Sequence, residues 1–223
     1  RMLRLQEIRP GFIVPADSVK VSDDGSFRLN AKIKMPSYFM LGFSKENFLT
    51  LLVKPGEKLT VEAKGDTLSA DPYVTGSEET SVLLEFQKKH ETLIKKLSVL
   101  TGIYNDSINS PSLPVIMDSL DRKAVTLISE FRNYADGYLR DNIGSMAAIY
   151  LLNQQSVPGK PLFDPMNDPE LYYKADSALF PKYPGSDLVA DLHDYVSRMK
   201  KHQRSEKNAS GVIMAGSYVP EIA

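Results

Sequence analysis

Asp17-Ser18-Val19-Lys20-Val21, Asp23-Asp24-Gly25-Ser26-Phe27, Leu51-Leu52-Val53-Lys54-Pro55-Gly56-Glu57 and Val74-Thr75-Gly76-Ser77 mark out a stretch of short strands and tight turns. After the Asp-Asp-Gly turn, Phe27, Leu29, Ala31, Ile33 and Met35 alternate with Ser26, Arg28, Asn30, Lys32 and Lys34, the cleanest period-two pattern in the chain. Such alternation predicts a strand with one buried face and one wet face. Gly25 supplies the positive φ that a tight hairpin needs. Residues 38–43 and 48–53 predict two more strands, whose nearly unbroken apolar runs predict cover on both faces. Lys54-Pro55-Gly56-Glu57 carries the proline and glycine of a type II turn, and Leu59, Val61 and Ala63 alternate after it. Strands this closely spaced pair antiparallel, because parallel pairing needs long crossovers. The reading is an α+β chain whose residues 1–76 form a small antiparallel β-sandwich or curled meander, followed by a helical bundle region.

On the N-terminal side, residues 2–8 alternate partially, while Pro10-Gly11 and Pro15 break the pattern and predict a bend or a sheet edge. On the C-terminal side, residues 77–204 read as about five helices. Ser77 is an N-cap, with Glu78 and Glu79 at the positive end of the helix dipole. Leu83, Phe86, His90, Leu93, Leu97 and Leu100 then form a heptad-like seam that Gly102 is expected to end. A second helix over 113–140 carries Ile116, Leu120, Ala124, Leu127, Phe131, Tyr134 and Tyr138 on one stripe. The polar loop 104–112 favours an antiparallel helix hairpin over a coiled-coil oligomer. Ser145 opens a short apolar helix over 146–155, and prolines at 158, 161 and 165 punctuate a loop. Asp168-Pro169-Glu170 reads as N-cap, first-turn proline and acidic first turn of a helix to about residue 183. Ser186 caps a last helix to about residue 203, with Leu188, Leu192, Tyr195, Val196 and Met199 inward. Residues 205–223 read as a polar linker and the start of another segment.

Composition narrows the function. The 223 residues carry 27 basic and 28 acidic side chains, a net charge of −1, which argues against nucleic acid as a partner. With no cysteine there is no thiol redox centre, disulfide or thiolate metal site in these residues.

No catalytic constellation is legible, and no catalytic, cofactor-binding or metal-binding residue is assigned. Asp23 and Asp24 lack the spread of oxygen ligands that a calcium loop requires and read as turn residues. His90 lies on the apolar seam and reads as a core or rim histidine rather than a ligand. His193 and His202 stand nine residues apart on one helix, too far for a paired metal site. Asp164, Asp168 and Glu170 suggest acid–base carboxylates less well than capping and solvation.

Several motifs together resemble a known family. The Asp17-Ser18-Val19 strand, Asp24-Gly25-Ser26-Phe27, Pro55-Gly56-Glu57 and Gly76-Ser77 before a long helix are similar to the N-terminal domain that precedes thioredoxin-like domains in TlpA/ResA-type envelope thiol-disulfide oxidoreductases. Residues 142–152, Phe163-Asp164-Pro165 and Lys182-Tyr183-Pro184-Gly185-Ser186 resemble the helical insert of these proteins, many of them lipoproteins of Gram-negative bacteria related to Bacteroides. Gly216 to Glu221 looks like the Gly-x-x-x-Pro-Glu lead-in to the redox domain. The resemblance implies a non-catalytic N-terminal region that positions or dimerises the redox domain or contacts its client. It implies a periplasmic or outer-envelope location, a lipid anchor upstream of Arg1, and a thioredoxin-like domain and client envelope proteins as partners. The redox cysteines fall outside the chain, so no catalytic residue carries over. Asp106-Ser107-Ile108 resembles an O-glycosylation site of such bacteria. The alternative from another class is a stand-alone envelope module that binds a peptide or glycan at the sheet edge or in the sheet–helix groove.

Overall fold

The computed structural model describes residues 1–65, 67–68 and 72–211. It is an α+β fold, with an antiparallel sheet followed by a helical region. Strands β1 (Met2–Arg9), β2 (Phe12–Lys20), β3 (Ser37–Gly42) and β4 (Phe48–Val53) form one sheet in the order β2-β1-β3-β4. Strands β5 (Thr60–Glu62) and β6 (Tyr73–Thr75) make a separate two-stranded ribbon. Pro10-Gly11 is the two-residue turn of the β1–β2 hairpin, with Gly11 at φ +78°. Pro15 sits in the edge strand β2 beside a register shift, where a missing donor costs least.

The sheet is a middle layer. Phe39, Leu41, Leu49, Leu51 and Val53 pack on one face against Phe27, Leu29, Ala31, Ile33, Leu59 and Val61. Tyr38 and Leu52 look the other way, into the core shared with the helices. Two covered faces account for the apolar runs of β3 and β4, which have no wet side to alternate with.

The cleanest alternating stretch corrects the strand expectation. Residues 26–35 pair with no strand among the described residues, although odd-numbered residues are half-buried and even-numbered ones exposed throughout 27–34. The period-two pattern records which side is covered, and burial on one side does not require a ladder on either edge. The turn at Asp24 is formed, with Ser26 N–H donating to Asp24 Oδ1 at 2.9 Å, but it joins no paired strands. That backbone bond holds the Asp24 carboxyl below its ordinary pKa.

Helices α1 (Glu78–Ser107) and α2 (Leu113–Asp141) form the expected hairpin. His90 and Phe86 both meet Phe131, and Phe86 also meets Tyr138, so the two helices run antiparallel. Gly102 does not end α1, which runs five residues further: without a positive φ, this glycine is tolerated in the helix. Helix α3 (Ala147–Leu152) is buried and shorter than expected, ending at Asn153. The region after it is not wholly helical, because β7 (Gln155–Val157) and β8 (Lys160–Pro161) form a small hairpin turning at Gly159. Helix α4 (Pro169–Leu179) stops before Pro181, and α5 (Asp187–Gly211) continues through the stretch expected as linker. Residues 201–210 lack periodicity, but polar residues with fair helix propensity extend a helix already nucleated upstream. The expected redox-domain lead-in at Gly216–Glu221 lies outside the described residues.

The two regions are tied at Leu52. Its N–H donates to Thr80 Oγ1 at 3.0 Å, while its carbonyl accepts from Thr80 Oγ1 at 2.7 Å and Ser77 Oγ at 2.9 Å. Ser77 also caps α1 by accepting from Thr80 N–H. Nearby, buried Glu79 pairs with Lys54 Nζ at 3.3 Å and accepts a hydrogen bond from Ser145 Oγ. Burial pulls the Lys54 pKa down, but the Glu79 carboxylate more than offsets this and leaves it raised. Tyr38 donates to Met146 carbonyl oxygen at 2.6 Å and ties β3 to the start of α3. Gly76, at φ +90°, sits where a Cβ would lie 2.0 Å from the Lys58 carbonyl oxygen, so the turn into α1 requires glycine. Thr80→Val should leave the Leu52 N–H without a partner and its carbonyl with Ser77 Oγ alone, and destabilise the protein by about 1–3 kcal/mol. Urea unfolding should show a lower midpoint with an unchanged m-value.

Candidate functional site

A groove of about 490 Å³ opens between the β1–β2 turn and the helical region. Pro10 stands at one wall, with Leu152 of α3 and Phe163 and Pro165 of the following loop opposite. Tyr172 of α4 forms the floor, and Asp191 and Tyr195 of α5 stand at the mouth.

The floor is rigid. Tyr172 Oη donates to the carbonyl oxygens of Leu152 at 3.2 Å and Phe163 at 3.0 Å, and burial pushes its pKa well above the ordinary tyrosine value. Arg132 lies 4.4 Å over the Phe163 ring and pairs with Asp168 at 2.6 Å and Asp136 at 3.6 Å. Asp168 also accepts from Asp164 N–H at 2.9 Å, and Asp164 accepts from Met166 N–H and Asn167 Nδ2. These two carboxylates hold the loop, and Glu170 lies exposed in the first turn of α4. Asp168 does not cap α4 with its side chain as expected, because Arg132 and the Asp164 backbone already occupy its oxygens.

The mouth is open to a ligand. Tyr195 is 37% exposed and leans on Tyr172 with ring centroids 5.9 Å apart, so it is not one of the inward residues of α5. The Tyr195 hydroxyl and the Asp191 carboxylate have no hydrogen-bond or ion-pair partner among the described residues. Asn153 Nδ2 and Gln154 Nε2 each donate one N–H to the carbonyls of Ile149 and Tyr150, which leaves each side chain one N–H donor and its oxygen as an acceptor. The groove thus combines apolar walls, one exposed aromatic ring and a set of polar groups that can both donate and accept. It contains no nucleophile paired with a base.

The histidines lie elsewhere. His193 Nδ1 is 2.8 Å from Asp176 Oδ1, and its ring stacks on Phe180 at 3.7 Å, which pins α5 to α4. The sequence analysis missed this contact because no spacing rule predicts a pair between two helices joined by a loop. His202 is exposed on α5. His90 stacks on Phe131 at 5.2 Å, and its Nε2, like Tyr134 Oη, is buried without a hydrogen-bond partner. No three His, Asp or Glu side chains gather as a metal-ligand set among the described residues. Ser107 is half-buried in the last turn of α1 rather than in an open loop. No helix among the described residues is long and apolar enough to cross a membrane.

Comparison with protein-family models, with curated proteins and with solved structures finds no match to this chain.

Burial holds the His90 pKa below its ordinary value, with part of the effect offset by the backbone of Gln155 and Ser156. The folded state therefore binds fewer protons at this site than the unfolded state. Its contribution is fully present above the unfolded pKa of about 6.5 and is lost as pH falls below it. His90→Phe should remove that dependence. The stability difference in favour of the variant should widen between about pH 7 and pH 5, measured by urea midpoints of both proteins at each pH.

Proposed function

We propose that this chain is the non-catalytic N-terminal region of a thioredoxin-like thiol-disulfide oxidoreductase of the cell envelope, and that it contacts the client polypeptide in the groove at Tyr195. The groove carries the reading. Its apolar walls and mixed donors and acceptors suit an extended polypeptide, whose N–H and C=O groups need partners and whose side chains need an apolar seat. The motif resemblance supplies the parent class, with the redox domain and client envelope proteins as partners and the periplasm or outer envelope, with a lipid anchor, as the location. Catalysis belongs to the redox domain in this reading, and these residues hold the client or position that domain, as a monomer or a homodimer.

A second reading, a stand-alone envelope module for a peptide or glycan, is favoured by Tyr195, since an exposed ring flanked by amide and carboxylate oxygens also suits a sugar.

Two measurements separate these readings. The coding sequence beyond Ala223 should contain a Cys-x-x-Cys within about 50–60 residues, in a strand-then-helix context. Its absence overturns the oxidoreductase parentage and leaves the stand-alone module. Reduced, carboxymethylated α-lactalbumin, used as an unfolded polypeptide, should bind the chain, and Tyr195→Ala should weaken binding by about tenfold in calorimetric titration. Undiminished binding by the variant removes the groove from the client reading.

A further inference from the structure

The segment between β2 and β3 has no strand partner among the described residues. Phe27, Leu29, Ala31 and Ile33 hold it over the apolar face of the sheet, above a cleft of about 540 Å³. Arg28, Lys32 and Lys34 stand on its exposed side, none with an ion-pair partner among the described residues. Of the backbone N–H groups from 27 to 34, that of Asn30 alone has an acceptor among the described residues, Asp17 Oδ2 at 2.8 Å, and the carbonyl oxygens over the same span accept nothing from them. Water satisfies these groups in the free chain, and an incoming strand would replace that water with a ladder.

We infer that residues 27–34 bind an extended acidic segment of a partner protein by strand addition. Four inward side chains already hold the backbone extended, so little ordering cost is left for the encounter. The basic face sets the specificity. Lysines on an open edge repel basic strands and discourage apolar ones, which protects against self-association. A strand with Asp or Glu at alternate positions meets Arg28, Lys32 and Lys34 as favourable cross-strand pairs. The other edges of the sheet are poorer docking sites, because Thr80 occupies β4 at Leu52 and Pro15 removes a donor from β2. This site is separate from the groove at Tyr195 and does not depend on the client reading.

The test uses the full chain and two probes of about ten residues, one alternating Val and Glu, the other Val and Lys. In hydrogen exchange, the amides of 27, 29, 31 and 33, which face the edge opposite to the Asn30 N–H bonded to Asp17, should exchange fast in the free chain and slow down with the Val-Glu peptide. Fluorescence anisotropy should show binding of Val-Glu, weakened by salt, and no binding of Val-Lys. The triple variant Arg28→Glu, Lys32→Glu, Lys34→Glu should exchange this preference. Ala31→Pro removes a donor that is unused in the free chain, so it should keep the thermal midpoint while losing at least about tenfold in affinity. Protected amides without peptide, absence of Val-Glu binding, equal binding of the two probes, or undiminished binding by Ala31→Pro would each overturn the proposal. So would sedimentation showing a dimer that Ala31→Pro dissolves, since the occupant would then be a second copy.

Discussion

Leu52 is the residue through which the sheet and the helices become one structure. Its two backbone polar groups face the open edge of β4, where a further strand would normally satisfy them. Thr80 supplies both a donor and an acceptor there, and Ser77 adds a second donor while capping the same helix. One turn of helix therefore does the work of a strand, and α1 leaves the sheet in a fixed direction. Its partner α2 inherits that direction through the Phe86–Phe131 contact, and α3 is fixed against the sheet by Tyr38 and Met146. The buried Glu79 carboxylate needs both Lys54 and Ser145, one from each region, so separating the regions would leave a charge without a partner.

The groove follows from that arrangement. Its walls come from the β1–β2 turn, α3, the loop at Phe163, α4 and α5, which meet because the sheet is fastened to the bundle. Arg132 holds the loop from α2 through Asp168 and the Phe163 ring, while Tyr172 ties α4 to two backbone carbonyls. Those internal polar groups are consumed in construction, so the mouth retains the unspent ones at Asp191, Tyr195, Asn153 and Gln154. The opposite side of the sheet differs, with backbone donors and acceptors unpaired among the described residues and a basic face over residues 27–34.

Much of the fold was legible in the sequence. Nearly unbroken apolar runs located β3 and β4, and the seams at Leu83–Leu93 and Leu120–Phe131 located α1 and α2. Local breakers were read less well. Gly102 is compatible with a helix that a long partner supports, so its presence did not stop α1. Prolines at 158 and 161 looked like loop and proved to lie in the turn and the second strand of a small hairpin. The site was barely legible: Tyr195 lay in an inward stripe of α5, and Asp191 looked like one more surface acid. Neither carries a local signal, because each acquires its place from elements remote in the chain.

The sequence by itself determined which side of each segment is apolar, where most helices start, and the absence of thiol chemistry, because these depend on residue type and short-range spacing. The alternation of residues 27–34 shows the limit of that information. Side-chain pattern reports which face is covered, and the structure covers that face as expected. Whether a backbone edge finds a partner depends on where other segments pass, and a pattern along one segment holds no record of that. Tertiary structure alone decided that Thr80 would take the edge of β4, that no strand would take the edges of 27–34, and that five separate elements would enclose the groove at Tyr195.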